Sequence, residues 1–257
     1  MRVNLNADLG EGFGPWTMGD DAAMLGIVAS ANIACGGHAG DPDVMRRTLR
    51  LAHERGVSIG AHPSYPDLQG FGRRAMALTT TELENQIAAQ VGVLTAIAAL
   101  EAARVTHVKP HGALNNLACV DRKVADTVCA AVRAVDPALI LLAPAASQLV
   151  VAGRAAGLAV VEEIFADRAY LPDGQLVPRS RPDAMIHGAA ACLAHVLAML
   201  DAGALIATDG TRIPTPIGSI CVHGDSPGAV AVARSLSDGL QAAGFCLATL
   251  PELAGGQ

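Results

Sequence analysis

Short apolar runs recur along the chain, and each is followed at once by polar side chains that can do chemistry. Val3-Asn4-Leu5 leads to Asn6, Asp8 and Glu11, Ile33-Ala34-Cys35 to His38, and Val57-Ser58-Ile59 to His62. Residues 105–108 lead to Lys109 and His111, residues 159–161 to Glu163, Asp167 and Arg168, and residues 219–222 to His223 and Asp225. Runs this short between turn residues read as buried strands, and the amphipathic stretches between them read as helices. The pattern predicts strands at 3–9, 31–35, 57–61, 105–109, 139–143, 159–164 and 219–222, with a short closing strand at 247–250. Helices are expected over 20–29, 41–54, 81–103, 121–135, 147–156 and 187–201, and from Ser226-Pro227 to Gly244. Asp41 and Pro42 form a helix start, an N-cap followed by a proline in the first turn. Segment 170–180 reads as a loop or short hairpin turning at Asp173-Gly174, 182–185 as a short helix, and 207–216 as a second hairpin.

Strands alternating with helices over connections this short imply parallel strands and right-handed crossovers. Seven or eight such units close into a barrel more naturally than they open into a sheet. The expectation is therefore one parallel α/β barrel of the (β/α)7 type over residues 1–257, with insertions near 170–182 and 207–218. A barrel brings its strand ends to one rim, where such folds carry their active sites. A doubly wound sheet is the competing architecture. Against it, Gly10-Glu11-Gly12-Phe13-Gly14 sets a carboxylate where a pyrophosphate would lie. No Walker-type loop is present either, so no nucleotide site is legible in this chain.

Hydrophobic residues make up 51% of the 257 residues and aromatics only 3%, so aliphatic side chains must fill the core. The formal charge of -6, without a basic stripe, argues against nucleic-acid binding. Mean hydropathy is positive, yet no unbroken apolar stretch is expected to reach the roughly 20 residues of a bilayer span. The closest, 187–200, is interrupted by two histidines and reads as a buried helix. The first residues run straight into a strand without the pattern of a signal peptide. Six scattered cysteines without a CxxC pair suit reduced thiols in a cytoplasmic setting. Cys35 and Cys221 lie near the rim, where small buried thiols are expected more than nucleophiles.

At the strand ends, Asp8 and Glu11 are close enough to push one pKa upward and divide acid and base roles between them. The simpler reading has Asp8 binding loop amides. His38 sits among glycines in Cys35-Gly36-Gly37-His38-Ala39-Gly40, and His62 precedes a proline. Asp8, His38 and His62 are a candidate carboxylate-plus-two-histidine metal site. In Lys109-Pro110-His111-Gly112 the proline and glycine confine the turn; the lysine suits an anion and the histidine a proton shuttle. Arg168 offers a forked donor for a carboxylate. The candidate catalytic residues are Asp8, Glu11, His38, His62, Lys109 and His111. The candidate substrate-binding residues are Asn6, Asn32, Lys109, Arg168, His223 and Asp225. Arg179 and Arg181 read as surface residues, and His53, His107, His187 and His195 as structural. Such a rim suits water attack on a polarised carbonyl or phosphoryl compound that carries a carboxylate.

Several segments resemble the LamB/YcsF family: Asn6-Ala7-Asp8-Leu9-Gly10-Glu11-Gly12-Phe13-Gly14, the run from Ala31 to Pro42, and Gly60-Ala61-His62-Pro63-Ser64-Tyr65-Pro66-Asp67. The likeness continues through Gly70-Phe71-Gly72-Arg73-Arg74, Val108-Lys109-Pro110-His111-Gly112-Ala113-Leu114, Phe165-Ala166-Asp167-Arg168-Ala169-Tyr170 and Cys221-Val222-His223-Gly224-Asp225. Gly37, Asn115 and Asp183 depart from the family pattern, which often has Phe, Tyr and Gly at those places. The resemblance implies a seven-stranded β/α barrel of the glycoside hydrolase/deacetylase type. It also implies ATP-dependent opening of 5-oxoproline to L-glutamate by a 5-oxoprolinase whose partner subunits B and C phosphorylate the lactam. This chain would complete the opening, and ATP would be consumed by the complex. A divalent metal is left open. Two other readings compete: a metal-dependent amidase or deacetylase acting without ATP, and a non-catalytic subunit that binds a small carboxylic acid.

Overall fold

The computed structural model describes residues 1–223 and 228–255. Its strands are β1 (Arg2–Leu9), β2 (Ser30–Ala34), β3 (Ser58–His62), β4 (Val105–Val108), β5 (Ile140–Pro144), β6 (Val160–Phe165), β7 (Ala204–Ile206), β8 (Arg212–Pro214), β9 (Ser219–Val222) and β10 (Cys246–Leu247). Its helices are α1 (Asp21–Met24), α2 (Pro42–Glu54), α3 (Thr80–Leu100), α4 (Gly112–Val120), α5 (Arg122–Val135), α6 (Gln148–Ala155), α7 (Ala189–Ala202), α8 (Ala229–Ala242) and α9 (Leu250–Ala254). Strands β1 to β6 pair in sequence and in parallel, β6 pairs with β9, and β9 closes the ring on β1. The expected seven-stranded parallel barrel is the observed fold. Strand β10 lies outside the ring, paired with the start of β1 through Arg2↔Cys246 and Val3↔Leu247. Strands β7 and β8 form a separate antiparallel hairpin.

Local sequence accounts for most helix boundaries. Asp41 caps α2 by accepting from the Asp43 and Val44 amides, with Pro42 in the first turn. Thr79 and Glu82 form a reciprocal capping box on α3. Leu83, Ile87, Val91, Leu94 and Ala98 make the buried face of α3, spaced as helical neighbours, and the helix packs on α5. Contrary to expectation, α3 is long and apolar enough to cross a membrane by length and composition. This buried face is what a helix laid against a barrel requires.

Other expectations shift. The first helix is a single turn, Asp21–Met24. The expected helix at 182–185 is a turn whose Met185 bridges Arg168. The closing strand shrinks to Cys246–Leu247, because Thr249-Leu250-Pro251-Glu252 carries a capping box and a proline that start α9 instead. Helix α4 has no start signal in the sequence: His111 gives it no side-chain cap, and Gly112 enters at a φ of 55°. The Ser226-Pro227 helix start lies outside the described residues.

Helices cover the outside of the barrel with aliphatic side chains, while the inside is markedly polar. Residues two apart on a strand share a face, so Asn4, Asn6 and Asp8 of β1 all project along the axis. Asn4 donates to Ser30 Oγ at 2.7 Å and to the Ala248 carbonyl at 2.7 Å, and accepts from Ser219 Oγ at 2.7 Å. Asn6 donates to Ser219 Oγ at 2.8 Å and Glu163 Oε2 at 3.2 Å. Asn32 donates to Asn6 Oδ1 and to Asp8 Oδ1, both at 2.8 Å. His107 closes this layer through Asn32 Oδ1 at 3.1 Å. Burial and the nearby Lys109 push His107 down to about 3, so it stays neutral, as a structural histidine would.

Gly60 of β3 leaves the space that the His107 ring occupies, and a Cβ there would overlap the ring. Gly60→Ala is expected to destabilise the fold by about 1–3 kcal/mol, the usual cost of overpacking. Gly92 on α3 has open space around it, so Gly92→Ala should stabilise by about 0.4–1 kcal/mol. Urea unfolding of the two variants measures both.

Candidate active site

The carboxyl ends of the strands bring most of the expected residues together. His62, last in β3, directs Nδ1 to the Lys109 carbonyl at 2.7 Å. His111, just before α4, directs Nε2 to the Phe71 carbonyl at 3.0 Å. A carbonyl only accepts, so those nitrogens carry the ring protons. The remaining nitrogens, His62 Nε2 and His111 Nδ1, then face one another with lone pairs 3.0 Å apart. Such a pair repels unless a proton or a cation lies between. Glu11 Oε1 is 3.7 Å from His111 Nδ1 and 3.0 Å from His38 Nε2. The His38 and His111 rings stack 3.7 Å apart. Burial and the adjacent His62 hold the His38 ring well below its ordinary pKa. Burial and the neighbouring histidines do the same to His111. Neutral imidazoles are the ligating form.

One ligand atom from each of Glu11, His38, His62 and His111 falls within a 4.8 Å group, all four residues buried. That donor set can hold a metal ion. It differs from the expected Asp8–His38–His62 set by gaining Glu11 and His111. Asp8 stands at its edge, with Oδ2 3.3 Å from His62 Nε2.

The other oxygen of Asp8 is tied to Lys109, whose Nζ lies 3.1 Å from Asp8 Oδ1 and 3.2 Å from Glu163 Oε2. Asn6 Oδ1 at 3.3 Å and Cys221 Sγ at 3.0 Å complete its surroundings. The sequence suggests that Lys109 holds a substrate anion. The structure instead gives its charge to two carboxylates of the protein. Burial alone would neutralise the lysine, but Asp8, Cys221 and Glu163 outweigh it and raise its pKa well above the ordinary value. Burial likewise works against the Asp8 anion, and His62 with Lys109 overcomes it, leaving the carboxyl well below its usual range. Burial raises Glu163, against the pull of Lys109. The Cys221 thiol is pushed well up by burial, which leaves it a thiol and no nucleophile.

Across the rim, His223 Nδ1 lies 2.8 and 2.9 Å from the two oxygens of Asp167. Burial works against the Asp167 anion, but the His223 contact prevails and lowers its pKa. Held this way, His223 leaves Nε2 for the cavity, where Arg179 Nη2 is 3.5 Å away. Arg168 is buried and donates from Nη2 to the Val177 carbonyl at 2.7 Å.

Asp8, His62, Lys109, His111, Arg168 and His223 line one cavity of about 450 Å³, within the roughly 300–1,000 Å³ of small-molecule sites. Asn6 and Asn32 lie one layer deeper, fully buried, where they hold Lys109 and Asp8 rather than line the cavity. His38 is behind His111. Asp225 lies outside the described residues. Glu163 and Asp167 stand at a strand end in the sequence without a site role of their own; two consecutive acids in Val160–Phe165, one of which must point inward, are the available signal. Nothing in the sequence points to the Phe71 carbonyl. It is presented by a backbone at φ 54°, in a loop clipped by Arg74 on Asp67 and by Asp67 Oδ1 on the Gly70 amide at 2.9 Å.

The sequence model of the LamB/YcsF family matches residues 3–255. The chain belongs to the LamB/YcsF family. Among its relatives, a protein of Azoarcus sp. (strain BH72), named as the A subunit of 5-oxoprolinase, is 57% identical over 253 residues, 98% of this chain and 99% of that protein. Another of the same name, from Methylococcus capsulatus, is 55% identical over 96% of this chain and 95% of its own. The crystal structure of the lactam utilization protein from Thermus thermophilus superposes with a TM-score of 0.91 at 41% identity, over 97% of this chain and all of that one. A deacetylase crystallised with substrate shares only the fold, at TM-score 0.52 and 15% identity over 100% of this chain and 92% of its own.

Removing the central cation should expose two buried carboxylates to each other. Lys109→Met is expected to destabilise the protein by about 3–5 kcal/mol, as for other broken buried ion pairs. Adding Glu163→Gln to that variant should restore part of the loss, read by thermal unfolding.

Proposed function

We propose that this chain completes the hydrolytic opening of ATP-activated 5-oxoproline to L-glutamate, as one component of a multisubunit 5-oxoprolinase. The observation that carries the reading is the pairing of an enforced anion, Asp8, with an oriented imidazole, His223, on one cavity, in a chain whose relatives bear that name. A lactam resists water because its amide is delocalised; the rotation barrier of roughly 18–20 kcal/mol conveys the scale. Phosphorylating its oxygen removes that delocalisation. Partner subunits B and C supply this step with ATP, in keeping with the lack of a Walker loop or GxGxxG in this chain.

Two protons then have to move. Asp8, kept ionised by Lys109 and His62, takes one from the attacking water as the new C–O bond forms. His223, held by Asp167, gives one to the ring nitrogen as water adds; Asp8 then returns its proton to that nitrogen as the C–N bond breaks, and the hydroxyl proton of the adduct passes to His223 as the carbonyl forms. Protonating the nitrogen is what directs collapse to the open chain, since expulsion of phosphate instead would return the lactam. The resulting acyl phosphate loses phosphate to a second water. Arg168 neutralises the substrate carboxylate.

Glu11, His38, His62 and His111 would hold a divalent metal. When bound, such an ion polarises an oxygen on carbon or phosphorus. The six cysteines are free thiols, five of them buried, which with the need for ATP supports a cytoplasmic setting.

With partner subunits, 5-oxoproline and ATP, the wild-type chain should release glutamate, and the chain alone should release little or none. Asp8→Asn should lower that release by about 10²–10⁴-fold, the usual share of a general base, with an unchanged far-ultraviolet dichroism spectrum. Glutamate appearing from the chain alone with metal but without ATP would favour the amidase reading that the histidine cluster also allows.

Titrating zinc into chelator-treated protein should show one ion bound per chain. His62→Ala and His111→Ala should each weaken it by more than the roughly 10–100-fold lost with an outer-sphere partner. Calorimetry reads both.

A further inference from the structure

An activated lactam carries a phosphoryl group, and Lys109, the buried cation of the rim, is enclosed by Asp8 and Glu163. The other lysine and arginine residues that line the cavity are Arg73, Arg168 and Arg179. Burial, the charge of Arg179 and, more weakly, that of Arg73 hold the pKa of Arg168 below its ordinary value, against the pull of Asp167. Asp167 is itself engaged by His223. Three like charges gathered on one cavity fit a ligand with several negative charges. A phosphoryl group carries about −1.5 to −2 at neutral pH, and the substrate adds a carboxylate.

Position separates the three arginines. Arg168 is buried and commits Nη2 to the Val177 carbonyl at 2.7 Å. Arg73 stands over the Phe71 ring, 5.1 Å from its centroid. Arg179 is exposed and follows closely on Val177, whose amide is fixed to the Ala169 carbonyl at 3.0 Å. Its neighbour Arg181 gives its charge to Asp183 at 2.6 Å, whereas Arg179 points Nη2 at His223 Nε2, 3.5 Å away. That nitrogen of His223 is the one that serves the ring nitrogen in the proposed reaction. The ring nitrogen and the phosphoryl oxygen of the activated lactam are bonded to the same carbon, so a guanidinium beside His223 Nε2 also stands beside the phosphoryl group. Once His223 carries its second ring proton, Nε2 and Arg179 are two cationic donors facing each other. A phosphoryl oxygen between them accepts from both.

We infer that Arg179 is the phosphoryl-binding residue of this cavity, and that it lets the chain take the activated lactam in preference to 5-oxoproline itself. The inference rests on the function proposed above and deepens it by naming the group that tells activated from unactivated substrate. A guanidinium matches a phosphoryl group with two parallel bonds. Unactivated 5-oxoproline has only its carboxylate to offer, which goes to Arg168.

The test is calorimetry on the isolated, chelator-treated chain at constant ionic strength, so that no metal holds the anion. Inorganic phosphate stands in for the phosphoryl group, and 5-oxoproline reports on the rest of the cavity. Wild type should bind phosphate, and Arg179→Gln should weaken it by at least about tenfold, the share of a hydrogen bond to a charged group. The Kd of 5-oxoproline should stay within about twofold in the same variant. Arg179→Lys keeps the charge without the fork and should fall between wild type and Arg179→Gln for phosphate. Absence of phosphate binding in wild type, or an unchanged phosphate Kd in Arg179→Gln, overturns the inference. So does equal weakening of both ligands, which would make Arg179 a support for the cavity as a whole. Glutamate release by the wild-type complex is measured in parallel. If release is absent while Arg179→Gln still weakens phosphate alone, the proposed function falls and the anion subsite stands. If release is present while phosphate binding is unchanged in the variant, only the role of Arg179 falls.

Discussion

A single ammonium group, buried on the barrel axis between two carboxylates, organises this molecule. Lys109 Nζ touches Asp8 from β1, Glu163 from β6, Asn6 from β1 and Cys221 from β9. Charges of this kind are tolerated inside a protein only when geometry satisfies them. Three strands must therefore keep their register for the lysine to remain charged. The reward is chemical: an aspartate that stays ionised in a closed setting, near two histidines, His38 and His111, that stay neutral.

The hydrogen-bonded plug beneath it explains how an aliphatic protein supports a polar centre. Asn4, Asn6, Asn32, Ser30, Ser219 and His107 fill the lumen in layers, each satisfying the next. Half-satisfied networks are costly and fully connected ones rigid. Rigidity here fixes Asp8 and Lys109 from below, while backbone carbonyls of Lys109 and Phe71 fix the histidine rings from the side. Preorganisation of this sort lets electrostatics act without rearrangement during the reaction.

Much of this frame is readable without any coordinates. Strand ends at Asp8, His62, Lys109 and His223 announce a common rim, because short buried strands are bounded by turn residues and carry their polar groups at the ends. The capping residues Asp41 and Thr79 mark two helices. What escapes is whatever depends on which strands become neighbours. Nothing local says that Asn6 meets Glu163, or that Lys109 is enclosed by carboxylates instead of open to an anion. Helix α4 escapes because it begins at a glycine without a cap, and the short terminal strand because an apolar run conceals a capping box. Glu11 and His111 are recognisable as reactive, but their convergence with His38 and His62 depends on loop paths that spacing does not encode.

The first strand also has a consequence for how the chain reaches its final form. Its partners β9 and β10 come from the far end, through Asn4↔Ser219 and Arg2↔Cys246, and Asn4 donates to the carbonyl of Ala248. Contacts this remote in sequence slow folding, since a long loop must close before they give anything back. A growing chain thus carries an open-edged sheet, with Asn4 short of its Ser219 and Ala248 partners, until β9 and the segment after it have been made. Closure of the ring, and with it the assembly of the lysine's carboxylate cage, waits for β9, long after the first six strands could have paired.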